Sequence, residues 1–164
     1  MTNIHPNEFG EIRSVLLRHA RDAFGADQRI GAQWQELNYT AKPDSETALV
    51  EYDAFASLIA ETGCDIHYLP LDENLTLDCI YVRDAAFPVH GGVVLCNMGK
   101  PARSDEPAAI ARYLEANGIP VKGFIEGEGR LEGGDIVWLD GRTVVVGEGY
   151  RSNAEGIAQL KAYL

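Results

Sequence analysis

Strand-length apolar runs and apolar residues at helical spacing follow one another along this chain in one recurring order: strand, strand, helix, strand. That alternation limits the chain to an α/β or α+β architecture. Ile12 to His19 reads as a strand. Asp44 and Ser45 then offer an N-cap. Behind them Ala48, Leu49, Tyr52, Phe55, Ala56 and Ile59 recur with helical period until Gly63 stops the run. Asp65 to Leu69 reads as a short strand ended by Pro70.

The second pass starts with a strand from Cys79 to Val89. It turns at His90-Gly91-Gly92, a hairpin signal, and continues from Val93 to Met98. A helix capped by Ser104 follows, with Ile110 and Leu114 toward the core and Gly118 closing it. Val121 to Ile125 completes the unit. In the third pass Ile136–Leu139 and Thr143–Val146 flank the hairpin dipeptide Asp140-Gly141. Ser152-Asn153-Ala154-Glu155 reads as a capping box, and Ile157, Leu160 and Leu164 share one helical face. No closing strand follows that helix, and a sheet left open there exposes an unpaired edge. Self-association or a missing C-terminal segment is therefore expected.

Residues 20–42 show little periodicity and read as a long loop. Trp34 and Tyr39 within it either cover a pocket or anchor the loop. The 164 residues are expected to form part of one domain, 1–164, with an apolar content of 46% suited to a folded core. The net charge of −11 argues against a nucleic-acid partner, because no basic patch is available to displace counterions. It suits a small cation, and it also serves solubility. No apolar run approaches the roughly 20 residues of a membrane span, and no signal segment is seen. Cys64, Cys79 and Cys96 form no C-x-x-C pair and no zinc pattern with His5, His19, His67 or His90. A reducing cytoplasm is the expected compartment.

Carboxylates cluster at two places, Asp78 and Asp84 around Cys79-Ile80-Tyr81-Val82-Arg83, and Glu132 and Asp135 around a diglycine. A planar guanidinium is held by carboxylates in bidentate geometry, which makes Asp78 and Asp84 candidates. They share strand parity, but six extended residues span roughly 20 Å, so one ligand reaches both only if the chain turns between them. A turn or cap role is the plainer alternative. Gly133-Gly134 allows close backbone approach beside Glu132. Arg103 and Arg151 each precede a helix, where a cation opposes the helix dipole. Anion binding explains that placement, and so does simple solvation.

Tyr81-Val82-Arg83-Asp84, Pro101-Ala102-Arg103, Glu132-Gly133-Gly134-Asp135 and Arg151-Ser152-Asn153 occur in a characteristic order and approximate spacing. In this the chain resembles the superfamily of dimethylarginine dimethylaminohydrolases, arginine deiminases and amidinotransferases. The resemblance covers nearly the whole chain and is best from Leu75 to Leu160. It implies the pentein fold, an α/β propeller of five ββαβ modules, with about three of the five in this sequence. By resemblance, Asp78 and Asp84 bind the guanidino end of a small guanidino amino acid, arginine or a methylated arginine. Glu132 orients a catalytic histidine, and Arg103 and Arg151 clamp the substrate carboxylate. A cysteine thiolate attacks the guanidinium carbon and a thiouronium intermediate is hydrolysed. No metal or cofactor is implied. The resemblance assigns nucleophile and histidine to C-terminal modules, and no position here matches either. Cys79 is not at the nucleophile position, and the chain alone is expected to be inactive. Arg83 stands where animal dimethylargininases carry an acid, which leans toward bacterial relatives or deiminases. An amidinotransferase and a non-catalytic pentein binding or assembly protein are the alternatives.

Overall fold

The computed structural model describes residues 6–164. Two compact units form, one of residues 11–82 and one of residues 83–164 joined by residues 6–10.

In the first unit, β1 (Ser14–Leu17) and β2 (Asp65–Tyr68) pair in parallel, with Ser14 opposite Asp65 and Leu17 opposite Tyr68. A parallel pair needs a crossover, and helix α3 (Ser45–Ala60) is in that connection. Asp44 caps α3 as its sequence predicts, its carboxylate accepting the Thr47 N–H at 2.8 Å. Among the described residues one strand precedes this helix, so the first pass has the order strand, helix, strand. Leu49, Tyr52, Ala56 and Ile59 are half-buried, whereas Phe55, expected on the same face, is exposed along with Val50 and Leu58.

The expected loop at 20–42 holds two short helices, α1 (Ala20–Phe24) and α2 (Asp27–Gln33). His19 caps α1 by accepting the Arg21 N–H at 3.1 Å on Nδ1, and its Nε2 lies 3.0 Å from Asp53 of α3. Ala20, Ala23, Phe24 and Ile30 are buried. Gln33 accepts the Leu77 N–H at 3.0 Å, and the Arg29 guanidinium donates to the Leu75 carbonyl. These tertiary ties stabilise helices too short to show a period. Trp34, half-buried, ends α2.

The expected strand from Cys79 is the largest correction. Leu77–Ile80 is a 3₁₀ turn, Val82–Ala85 is a helical turn (α4), and strand structure starts only at Ala86. A short apolar run does not distinguish strand from buried helix by pattern alone.

In the second unit, β3 (Ala86–Val89) and β4 (Gly92–Leu95) form an antiparallel hairpin through His90-Gly91, with Gly91 at φ +76°. Helix α5 (Glu106–Ala116) crosses over, and β5 (Val121–Phe124) pairs in parallel with β4. This is one complete ββαβ module. β6 (Ile136–Trp138), β7 (Val144–Val146) and α6 (Ala154–Lys161) begin another. β4 is buried along its length, as a central strand must be. Phe87, Ile110, Leu114, Leu131, Ile136 and Leu160 fill the core, and each such side chain contributes about 1.5–3 kcal/mol on burial. The Trp138 indole stacks on Phe87 and donates to the Pro88 carbonyl at 3.1 Å.

Two caps differ from expectation. Asp105, not Ser104, precedes α5. Asn153 caps α6, accepting the Gly156 N–H at 2.9 Å. Ser152 is thereby released for another task. On α6, Leu160 is buried and Ile157 half-buried, but Leu164 lies past the end of the helix and is exposed. No helix among the described residues is long and apolar enough to cross a membrane.

Candidate active site

Glu132 is the most buried charged residue of the second unit, with 0% exposure. It sits in extended conformation just before a 3₁₀ turn at Gly133–Asp135. Its N–H donates to Ser152 Oγ at 3.1 Å, and its Oε1 accepts the Gly99 N–H at 3.2 Å. Its Oε2 lies 2.9 Å from Arg151 Nη1 and 4.0 Å from Arg103 Nη1. The contact to Arg151 is ionic, because no N–H is aligned on Oε2, which keeps its lone pairs free of hydrogen bonds. Burial pushes the Glu132 carboxyl above its ordinary range, and Arg151 and then Arg103 oppose that shift without cancelling it.

Arg103 is equally enclosed, at 4% exposure. It ends a 3₁₀ turn (Pro101–Arg103) and forks onto Glu106, the first residue of α5, at 2.8 Å from Nε and 2.7 Å from Nη2. Its Nη1 donates to Asp84 Oδ2 at 2.7 Å. Burial alone would lower the Arg103 pKa, but Glu106 and Asp84 outweigh it and hold the guanidinium firmly charged. The dipole conflict expected of a cation before a helix is resolved by Glu106, an acid in the first turn.

Arg151 is half-open. Besides Glu132 it approaches Asp135 Oδ1 at 3.8 Å. Ser152 donates to Asp135 Oδ2 at 2.6 Å. Adjacent residues thus hold the same two acidic positions, Arg151 by charge and Ser152 by hydrogen bonds. The diglycine is needed here for space. A Cβ on Gly133 would meet the Arg83 carbonyl at 2.2 Å, and one on Gly134 would meet Asp84 Oδ1 at 2.3 Å. Arg83 clamps this turn, donating to the carbonyls of Gly133 (3.3 Å) and Ile136 (2.8 Å) and to Glu8 (2.6 Å).

Asp84, Arg103, Glu132 and Arg151 are therefore brought together within one unit. Asp78 belongs to the other unit, where it is buried and has the Tyr39 hydroxyl as a neighbour. Burial, then Asp78, raises the Tyr39 pKa, so the phenol stays protonated. The chain does turn between Asp78 and Asp84, through the 3₁₀ turn and α4. Sequence reasoning missed Glu106, Asp135 and Ser152 as members of the site. The Arg103/Glu106 spacing was a usable signal, whereas Ser152 was masked by its place in an apparent capping box. Cys96 lies beside the cluster, where burial pushes its thiol up to about 12. Among the described residues no group of three metal-ligating side chains converges.

Known proteins resemble this chain in sequence and fold. Residues 22–164 match the family described as N,N dimethylarginine dimethylhydrolase, eukaryotic. The N(G),N(G)-dimethylarginine dimethylaminohydrolase of Pseudomonas aeruginosa is 29% identical over 127 residues, 77% of this chain and 49% of the relative. That of Streptomyces coelicolor is 30% identical over 74% of this chain and 46% of the relative. The chain thus spans about half the length of the relatives it matches. The structure of a cysteine-to-serine variant of the P. aeruginosa enzyme, complexed with citrulline, superposes with a TM-score of 0.75 at 26% identity, over 94% of this chain and 57% of that one. An amidinotransferase from Microseira wollei shares the fold at 14% identity, with a TM-score of 0.69. The fold is of the pentein type. With the match running over residues 22–164, the chain belongs to the dimethylarginine dimethylaminohydrolase family.

Proposed function

We propose that this chain supplies the guanidinium-binding and histidine-orienting part of a hydrolase acting on a small guanidino amino acid, arginine or a methylated arginine. The charge arrangement around Glu132 carries the reading. Asp84, Glu132 and Asp135 are gathered beside Arg103 and Arg151, and Oε2 of the buried Glu132 accepts no hydrogen bond. Partly enclosed carboxylates favour a cation, and a planar one rich in N–H donors matches them in bidentate geometry. Asp84 accepts from the substrate guanidinium. Glu132 uses Oε2 to orient and charge-stabilise an imidazole. Arg151, half-open, binds the substrate carboxylate. Arg103 joins it there only by exchanging a partner, since Glu106 and Asp84 already hold its fork.

In this reading a thiolate adds to the guanidinium carbon, the amine leaves with the imidazole proton, and water hydrolyses the thiouronium. Neither the nucleophile nor the imidazole is among the residues assigned here. Cys96 is unsuited to the role because burial keeps its thiol protonated, and Cys79 is buried within the Asp78 turn.

The test is citrulline formation from arginine and its methylated forms. The isolated chain is expected to give none, yet to bind dimethylarginine in a way that Glu132→Gln and Asp84→Asn weaken. Adding the C-terminal half of the P. aeruginosa relative in trans should restore turnover. Turnover by the isolated chain that vanishes on Cys79→Ser would overturn the reading, and so would dimethylarginine binding indifferent to Asp84.

A further inference from the structure

We propose that Glu106 is a positioning residue that sets the spacing of Asp84 and Glu132 by fixing the guanidinium of Arg103 between them. The inference rests on the guanidine-binding reading for its purpose, but not for its geometry. Glu106 itself points away from the ligand-binding carboxylates, since both its oxygens face Arg103, Oε1 to Nε at 2.8 Å and Oε2 to Nη2 at 2.7 Å. A two-pronged pair of this kind fixes the plane of the guanidinium as well as its place. With Nε and Nη2 engaged, Nη1 is the edge left to face the acids, and it lies 2.7 Å from Asp84 Oδ2 and 4.0 Å from Glu132 Oε2.

Several features make the hold rigid. Glu106 and Arg103 are 3% and 4% exposed, so the pair is enclosed by protein and shielded from water. Glu106 opens α5 and is followed by Pro107, which presets the backbone of the first turn. The helix dipole favours the carboxylate at that position. Without Glu106, Arg103 loses the carboxylate contacts of Nε and Nη2, and its guanidinium shifts toward the nearer acid, Asp84, and away from Glu132. Asp84 would then be neutralised by an arginine in place of a ligand, and Glu132 would lose one of its two cations.

Carbon-13 NMR titration of the Glu132 carboxyl in Glu106→Gln tests this directly. Positioning predicts that the Glu132 midpoint moves upward, because the carboxylate loses one of the two cations that oppose its burial. Loss of a nearby negative charge alone would lower it, and a purely structural role would leave it in place. Either of those results overturns the inference. If Glu106→Gln does not fold, Glu106→Asp keeps the charge but shortens the fork, and the same upward movement is expected. Downward or absent movement there overturns it too. Affinity for dimethylarginine, read in the same samples, should fall about tenfold with the upward movement. An upward movement in a protein that binds no dimethylarginine at all would leave the role of Glu106 standing and refute the guanidine-binding reading instead.

Discussion

Arg151 brings Nη1 to 2.9 Å from Glu132 Oε2 while about a third of its own side chain stays open to water. Glu132 depends on that half-exposed cation, because burial raises its carboxyl pKa and Arg151 is the largest force opposing the rise. A carboxyl raised by folding binds its proton more tightly in the native state than in the unfolded one. Its contribution to stability is therefore greatest below the unfolded carboxylate value and is lost as pH rises through the raised one. As pH rises from the unfolded carboxylate value through the raised one, the wild type should lose stability relative to Glu132→Gln. In an Arg151→Ala background the loss should be larger and extend to higher pH. Thermal melts across that range measure it, and a constant difference between wild type and Glu132→Gln would contradict it.

Arg103 should be far less replaceable than its surface-like sequence context suggests. Arg103→Ala removes the guanidinium that Glu106 and Asp84 share and that faces Glu132, a break of the kind that costs about 3–5 kcal/mol. Lysine keeps the charge but loses the fork, so Arg103→Lys should cost about half as much. Urea unfolding of the two variants decides the matter. A loss below about 1 kcal/mol for alanine would place the cluster in contact with water.

Three glycines make an internal comparison. Gly133→Ala drives a methyl into the Arg83 carbonyl and should cost at least about 1–3 kcal/mol. Gly134→Ala meets the end of the Asp84 side chain, so it should displace that carboxylate and weaken ligand binding more than stability. Gly141→Ala, in the β6–β7 hairpin with nothing within 4 Å and no positive φ, should stay within about 0.5 kcal/mol of wild type. Equal effects at all three would show that close approach is not what the diglycine provides.

Self-association is the expected behaviour of the second unit. β7 pairs only with β6 among the described strands, and Val137, Leu139 and Val145 on this hairpin are exposed. Light scattering should show mass rising with concentration, and Val145→Lys should suppress the rise. A monomer at all concentrations would refute this.

Much of the fold was legible where a pattern is long. Helices α3 and α5 declare themselves by period, and Asp140-Gly141 by turn chemistry. Helices α1 and α2 were not legible, because each spans too few residues to repeat and is stabilised by distant partners such as Leu75 and Leu77. The run after Asp78 misled because its apolar residues are buried by helical turns as well as they would be by a strand. In the site, the acids and arginines stood out as motifs, but their pairing did not. The spacing of Arg103 and Glu106 hints at their pairing, but nothing local says that Arg103 also faces Asp84, or that Ser152 leaves its helix to Asn153 and turns to Asp135. Those choices follow from burial, which forces every charge to find a partner.

The chain carries two tryptophans, one in each unit. Trp138 is enclosed against Phe87 with its indole N–H bonded, and Trp34 ends a short helix half in contact with solvent. Their emission should accordingly differ in wavelength, with Trp138 the bluer. Trp34→Phe and Trp138→Phe then turn intrinsic fluorescence into separate optical channels, one for each unit. Whether the portion bearing Glu132 can hold its shape while the portion bearing Asp78 melts becomes readable from light alone, with no dye or label added.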